Sequence, residues 1–177
     1  MLRRPKIAMI ALLVLLGDVS AQKAVRTSAD AQTLPADEAI AIVVNQENSV
    51  DNLTMKDLRT VFLGERSHWA NGRRITLVML EPGQLERKAI LRDIYRMSES
   101  DFNRHFLQGL FTGEVFVSPK TLATPVGVRK FIFNVPGAIG YVRASDVDST
   151  VKVIRIEGRL PDDKDYTLRL LPRPVTK

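Results

Sequence analysis

Apolar and polar residues alternate in blocks along the chain after residue 36, and the blocks have the periods of strands and helices. Short β-branched or apolar runs are predicted as buried strands at residues 39–44, 75–80, 138–142 and 151–156, with a possible last strand at 166–171. Between them, apolar residues recur at helical spacing, which predicts helices at residues 54–63, 85–95, 99–112 and 125–135. This order of strands and helices predicts an α/β domain with a mixed sheet flanked by helices.

Capping signals mark where three of these helices begin. Thr54 and Ser98 are each followed three residues later by an aspartate, which is the pattern of a capping box. Thr124 precedes a proline, and proline suits the first position of a helix. Gly64 is predicted to end the first helix, because glycine readily takes the left-handed conformation found there. The helix boundaries therefore follow from local chemistry.

The first residues have the composition of an export signal. Three basic residues precede ten apolar residues at positions 7–16, and small residues follow at 19–21. We expect a signal peptide over residues 1–21, a flexible leader over 22–36 and a single domain over 37–171, with the mature protein in the periplasm. Ten apolar residues are fewer than the roughly 20 that span a bilayer, but an uncleaved N-terminal anchor remains the alternative.

Composition and charge narrow the range of functions. The chain has no cysteine, so it has neither a disulfide nor a thiol nucleophile. Its net charge is +6, of which the predicted signal peptide contributes +2, and the basic residues are interspersed with acids. Nucleic acid is therefore not an expected partner, since its binding usually needs a clustered basic patch. The two histidines are far apart and no catalytic motif is present, so we expect no enzyme, no metal and no cofactor.

Four segments resemble the substrate-binding proteins of phosphate ABC transporters. They are residues 42–45, 53–64, 69–72 and 136–142, the last reading Pro-Gly-Ala-Ile-Gly-Tyr-Val. Their order and spacing agree with that family, and the resemblance extends from about residue 37 to 170. It implies a periplasmic-binding-protein-like fold. Full-length members have two lobes that enclose phosphate, and the mature chain is long enough for one, so we expect a single lobe.

The strand, loop and helix at residues 75–95 correspond to the phosphate loop of that family. Exposed N–H groups at the start of a helix favour anions. Members usually carry Gly-Ser-Gly-Thr-Arg here, and aligning their arginine with Arg87 places Gly83 on the first glycine. Gln84 then stands in place of serine and Glu86 in place of threonine. The resemblance thus implies ligand-binding roles for Gly83, Gln84 and Arg87, whereas the charge of Glu86 argues against tight phosphate capture.

Each of these residues also has an ordinary structural interpretation. Arg87 could lie on a solvated helix face, and Gln84 could cap the helix. Asn45 and Ser49 follow the first strand at its carboxyl edge, where ligands of α/β proteins tend to dock, and they complete the predicted ligand-binding set. Their alternative role is that of ordinary turn residues.

Two functions from different classes fit the sequence. In the first, the chain is an exported protein like the substrate-binding proteins of phosphate ABC transporters, with a small anion or other solute as a weak ligand, or with an accessory role beside a membrane transporter. In the second, it has lost ligand binding and is a periplasmic protein–protein interaction module. Converging donors at the loop would favour a ligand, and carboxylates pointing into the cleft would favour a protein partner.

Overall fold

The computed structural model describes residues 38–171, and the predicted signal peptide and leader lie outside them. Within this range, no helix has the length and apolar character needed to cross a membrane. The strands of the main sheet are β1 (Ile40–Asn45), β3 (Thr76–Leu80), β4 (Lys120–Leu122), β5 (Ala138–Arg143) and β6 (Val151–Val153). A separate parallel pair consists of β2 (Asn52–Leu53) and β7 (Arg155–Ile156). The predicted strand at 151–156 is therefore divided between two sheets.

The main sheet is mixed, as the sequence predicts. Its strand order is β4-β3-β5-β1-β6. The strand β3 runs parallel to both of its neighbours, β4 and β5, whereas β1 runs antiparallel to β5 and β6. The predicted last strand is a smaller feature: one isolated bridge joins Arg169 to Ala39 beside the start of β1.

The helices are α1 (Met55–Phe62), α2 (Leu85–Ile90), α3 (Glu99–Thr112) and α4 (Pro125–Asn134), and a π-helical turn at Leu91–Tyr95 continues α2. All three predicted caps form. The side-chain oxygens of Thr54, Ser98 and Thr124 each accept a hydrogen bond, at 3.0, 3.1 and 3.0 Å, from the backbone N–H three residues later. Gly64 has a φ of +77°, so the predicted end of α1 is also confirmed.

Helices cover both faces of the sheet. An added Cβ on Gly140 would lie 3.2 Å from Ile132 of α4, and the next residue, Tyr141, has its ring 6.4 Å from that of Phe62 in α1. Successive strand residues point to opposite faces, so α1 and α4 lie on opposite sides of the sheet. Tyr95 packs its ring against Phe62 on the α1 side and donates a hydrogen bond to the carbonyl oxygen of Phe62 at 2.8 Å. This aromatic packing holds the π-helical turn at the end of α2 against α1.

Candidate functional site

The five predicted ligand-binding residues fall into two groups at opposite ends of the sheet. Both β1 and β3 pair with Ile139 of β5, but β1 is antiparallel to β5 and β3 is parallel to it. The carboxyl end of β1, at Asn45, therefore lies beside the amino end of β3. Gly83, Gln84 and Arg87 follow the carboxyl end of β3. The rule that ligands dock at carboxyl ends holds for parallel strands, and the reversed direction of β1 separates the two groups here.

Asn45 is an internal bridge between β1 and α4. Its side-chain amide nitrogen donates to the carbonyl oxygens of Ile132 and Phe133 at 2.8 and 2.7 Å, and its Oδ1 accepts from the N–H of Glu47 at 2.9 Å. These carbonyls belong to the last turn of α4, and that of Ile132 also accepts from the N–H of Val135 at 3.3 Å. Ser49 is exposed and accepts from the Asn71 amide at 3.4 Å. The hydrogen bonds of Asn45 thus serve the fold.

The loop before α2 is open to solvent. Gly83 has a φ of +95°, and an added Cβ would meet no atom within 4 Å, so glycine is required there for backbone conformation and not for space. Gln84 occupies the N-cap position of α2, but its side chain forms no capping hydrogen bond. The amide of Gln84 is exposed beside Gly83. Two of the predicted residues are therefore accessible to a ligand.

Arg87 and Glu86 are buried, so the interpretation of this segment as a solvated helix face is wrong. They are 3% and 2% exposed, respectively. The Arg87 guanidinium donates to both carboxylate oxygens of Glu99 at 2.5–3.2 Å and to the carbonyl oxygen of Leu80 at 2.9 Å. Its carbon lies 4.8 Å from the centre of the Phe102 ring. Because the partner Glu99 is 12 positions away in the sequence, helical spacing does not reveal it.

Glu86 is buried and pairs with a strand residue. Its Oε1 accepts a hydrogen bond from Nε of Arg143 at the end of β5, and Arg143 also lies 3.7 Å from the carboxylate of Glu38. The hydrogen bond to Glu86 raises the pKa of the Arg143 guanidinium, which stays charged. The negative charge expected beside a ligand is thus balanced inside the protein. The partner is 57 positions away, beyond the reach of any local pattern.

A cleft of about 570 Å³ opens beside Gly83, between α2, the π-helical turn and the start of α3. Its charged lining residues are Lys88, Arg92, Arg96 and Glu99. Arg92 is held by Asp93 at 2.6 Å, and the side-chain hydrogen bond to Asp93 raises the pKa of its guanidinium. Lys88 and Arg96 are exposed and form no ion pair with any residue of 38–171. The cleft therefore presents two uncommitted cations next to the predicted loop.

The described residues contain no metal-binding group. No cluster of three or more histidine or acidic side chains with the geometry to hold a metal ion occurs between residues 38 and 171.

Comparison with known proteins identifies the fold. No protein-family model matches the chain. Its structure is similar to that of an ABC-type phosphate transport receptor from Vibrio cholerae, with a TM-score of 0.58 and 22% identity, over 70% of this chain and 48% of that chain. A putative phosphate ABC transporter substrate-binding protein from Clostridium perfringens, solved with bound phosphate, matches with a TM-score of 0.58 and 20% identity, over 70% and 47%. PstS from Borrelia burgdorferi matches with a TM-score of 0.59 and 13% identity, over 75% and 54%.

The chain has the fold of phosphate ABC transporter substrate-binding proteins. This confirms the periplasmic-binding-protein-like α/β fold that the four sequence segments imply. The chain spans about half the length of these structures. They are named for transport and binding of phosphate and not for catalysis.

Four apolar side chains are exposed in the second half of α3 and in the loop that follows it: Leu107, Leu110, Phe111 and Phe116. We call this set the α3 patch. Phe111 is the most exposed of them, at 86%. An exposed aromatic group of this size is unfavourable in water, so the patch is a candidate contact surface for another protein.

Proposed function

We propose that the chain is an exported relative of phosphate transporter substrate-binding proteins that binds small oxyanions weakly at the cleft beside Gly83, as a solute-binding or accessory component of transport in the periplasm. The observation that carries this proposal is the pair of uncommitted cations, Lys88 and Arg96, in a cleft beside Gly83. The sequence resemblance aligns the loop at Gly83 with the phosphate loop of substrate-binding proteins. The fold, shared with proteins named for phosphate binding, supports the choice of ligand class. No catalytic residue is required.

The expected affinity is low for two structural reasons. The buried cation Arg87 is neutralised by Glu99 and does not line the cleft. The exposed cations act through water, where a single ion pair contributes about 0.2–1 kcal/mol. Together with neutral hydrogen bonds from the loop, this supports a dissociation constant of roughly a millimolar, which corresponds to about 4 kcal/mol.

Calorimetric titration of the purified protein with phosphate and with sulfate tests the proposal. Wild type should give a saturable signal with a dissociation constant on the order of 1 mM. The double substitution Lys88→Gln with Arg96→Gln should weaken binding about fivefold or more, because it removes the two cations of the cleft that form no ion pair among the described residues. If wild type shows no saturable signal at anion concentrations up to about ten times this dissociation constant, the proposal is overturned.

A matched control separates the cleft from general charge. Arg74→Gln with Lys130→Gln removes the same charge from exposed positions before β3 and on α4 that do not line the cleft. We expect the control to bind like wild type. If both double variants weaken anion binding equally, the affinity depends only on the net charge of the protein.

Export is part of the proposal and has its own test. If residues 1–21 are a cleaved signal, N-terminal sequencing of the protein recovered from the periplasm should begin at Gln22. If the protein is instead recovered in the membrane fraction with residues 1–21 still present, the uncleaved N-terminal anchor is supported.

The α3 patch favours a second candidate, a periplasmic interaction module. Its four apolar side chains are exposed in the described domain. Substituting Phe111 by serine should abolish cross-linking to a periplasmic or membrane partner without changing phosphate binding. Unchanged cross-linking would remove the support that the patch gives to this candidate.

A further inference from the structure

Among residues 38–171, Arg87 is a buried cation with one acidic partner, which stands at the edge of the open cleft. The Arg87 side chain is 4% exposed, whereas that of Glu99 is 37% exposed. Glu99 lines the cleft and contacts Arg87, but Arg87 itself does not line the cleft. The Glu99 carboxylate is therefore the group that stands between the guanidinium and the solvent of the cleft.

The guanidinium of Arg87 is held in a fixed orientation. Its Nη1 donates to the carbonyl oxygen of Leu80 at 2.9 Å, and its plane is near the ring of Phe102. The edge formed by Nε and Nη2 faces the Glu99 carboxylate, with N–O distances of 3.0 and 2.5 Å. A planar fork of two N–H donors recognises any carboxylate or phosphate oxyanion in the same way. Glu99 thus fills a preorganised site for an oxyanion.

The charges around this edge favour an anion. Among the described residues that line the cleft, Glu99 is the only acid, and Lys88, Arg92 and Arg96 are basic. Without the Glu99 carboxylate, the buried Arg87 would lack its ion-pair partner at the end of a cleft with basic walls. A buried, unpaired cation is unfavourable, so the protein would gain from binding an anion at that position.

We infer that Glu99 is an intramolecular occupant of an oxyanion site built on Arg87, and that a phosphate-type or carboxylate-type oxyanion binds Arg87 when the Glu99 carboxylate is removed or displaced. The inference deepens the proposed function, on which it rests, because it identifies the contact that keeps anion binding weak. The ligand chemistry is an oxyanion with two oxygens in reach of the Nε–Nη2 edge.

The variant Glu99→Ala tests the inference, because it removes the carboxylate and leaves space for a small anion. The whole protein and the variant are titrated with phosphate, and with acetate as a carboxylate probe. Their melting temperatures are compared in phosphate and in chloride at equal ionic strength. Glu99→Ala should bind phosphate about tenfold or more tightly than wild type, and phosphate but not chloride should restore its melting temperature.

Two further variants serve as controls. Glu114→Ala removes an exposed carboxylate after α3 and should behave like wild type. Adding Arg87→Met to Glu99→Ala should abolish the gain in affinity. Binding of both acetate and phosphate would support a site for carboxylates as well as phosphates, and binding of phosphate alone would support a site for phosphate-type oxyanions.

The outcomes separate this inference from the proposed function. If wild type binds phosphate and Glu99→Ala binds no more tightly, the inference is overturned while the proposed function stands. If only the variant binds, the inference stands and the proposed function fails for the native protein; if neither binds, both fail. Should Glu99→Ala not fold, Glu99→Ser also removes the carboxylate and leaves space for an anion, and a melting temperature that phosphate raises no more than in wild type overturns the inference.

Discussion

Replacing Asn45 by alanine should destabilise the fold without changing anion affinity. The side chain is almost fully buried and makes three hydrogen bonds, two to the last-turn carbonyls of α4 and one from the N–H of Glu47. A polar group left unsatisfied on burial costs about 1–3 kcal/mol, but the Ile132 carbonyl still accepts from the N–H of Val135, and the other two partners are only partly buried. We therefore expect the free energy of unfolding to fall by about 1–3 kcal/mol, which lowers the melting temperature by roughly 3–9 °C in a domain of this size.

Urea unfolding and phosphate titration of the same samples measure both effects. The control is Gln46→Ala, because Gln46 is the exposed neighbour and makes one exposed hydrogen bond, to the carbonyl oxygen of Ser149 at 3.0 Å. Its substitution should cost less than about 1 kcal/mol. If Asn45→Ala instead keeps its stability and loses phosphate binding, Asn45 is a ligand residue and the structural role assigned to it here is wrong.

Two other predictions concern backbone strain and a buried ionisable group. Gly64→Ala should lower the free energy of unfolding by about 2 kcal/mol or more, because φ is +77° and the new Cβ would lie 2.5 Å from the carbonyl oxygen of Val117. A loss below about 0.5 kcal/mol in urea unfolding would refute this prediction. Burial raises the pKa of Tyr141, so the folded state keeps this phenol neutral. Stability is then fully retained below about pH 10 and falls as the pH rises further, because the unfolded phenol ionises first; tyrosinate absorbance that appears before the unfolding transition would contradict this.

Local features of the fold could be predicted from the sequence. The caps at Thr54, Ser98 and Thr124 form as expected, because each depends on atoms within three residues. The glycine that ends α1 also follows from the chemistry of a single position. The mixed sheet flanked by helices follows from several such elements in sequence, which constrain the fold class to a small set.

The site could not be predicted in the same way, because its contacts are distant in sequence. The direction of β1 relative to β3 decides that Asn45 and Gln84 lie at opposite ends of the sheet, and that direction depends on β5, more than 40 residues further along the chain. The partners of Arg87 and Glu86 are Glu99 and Arg143, and neither pairing follows a helical or strand period. Burial of both charges is a consequence of tertiary packing.

These placements change the interpretation of the predicted set. Gly83 and Gln84 remain candidate ligand residues on an open loop, and Arg87 becomes a candidate through the Glu99 contact. Asn45 has its hydrogen bonds committed to α4. Ser49 remains an exposed turn residue at the other end of the sheet. The proposed anion site therefore combines Gly83 and Gln84 with the cations Lys88 and Arg96, and no longer includes Asn45 and Ser49.

Amide chemical-shift mapping of the wild-type protein during a phosphate titration tests this account most directly. The account predicts that the amides of Gly83, Gln84 and Lys88 shift progressively and saturate together, while those of Asn45 and Ser49 stay in place. Saturating shifts at Asn45 and Ser49 with none around Gly83 would place the ligand at the other end of the sheet and contradict it.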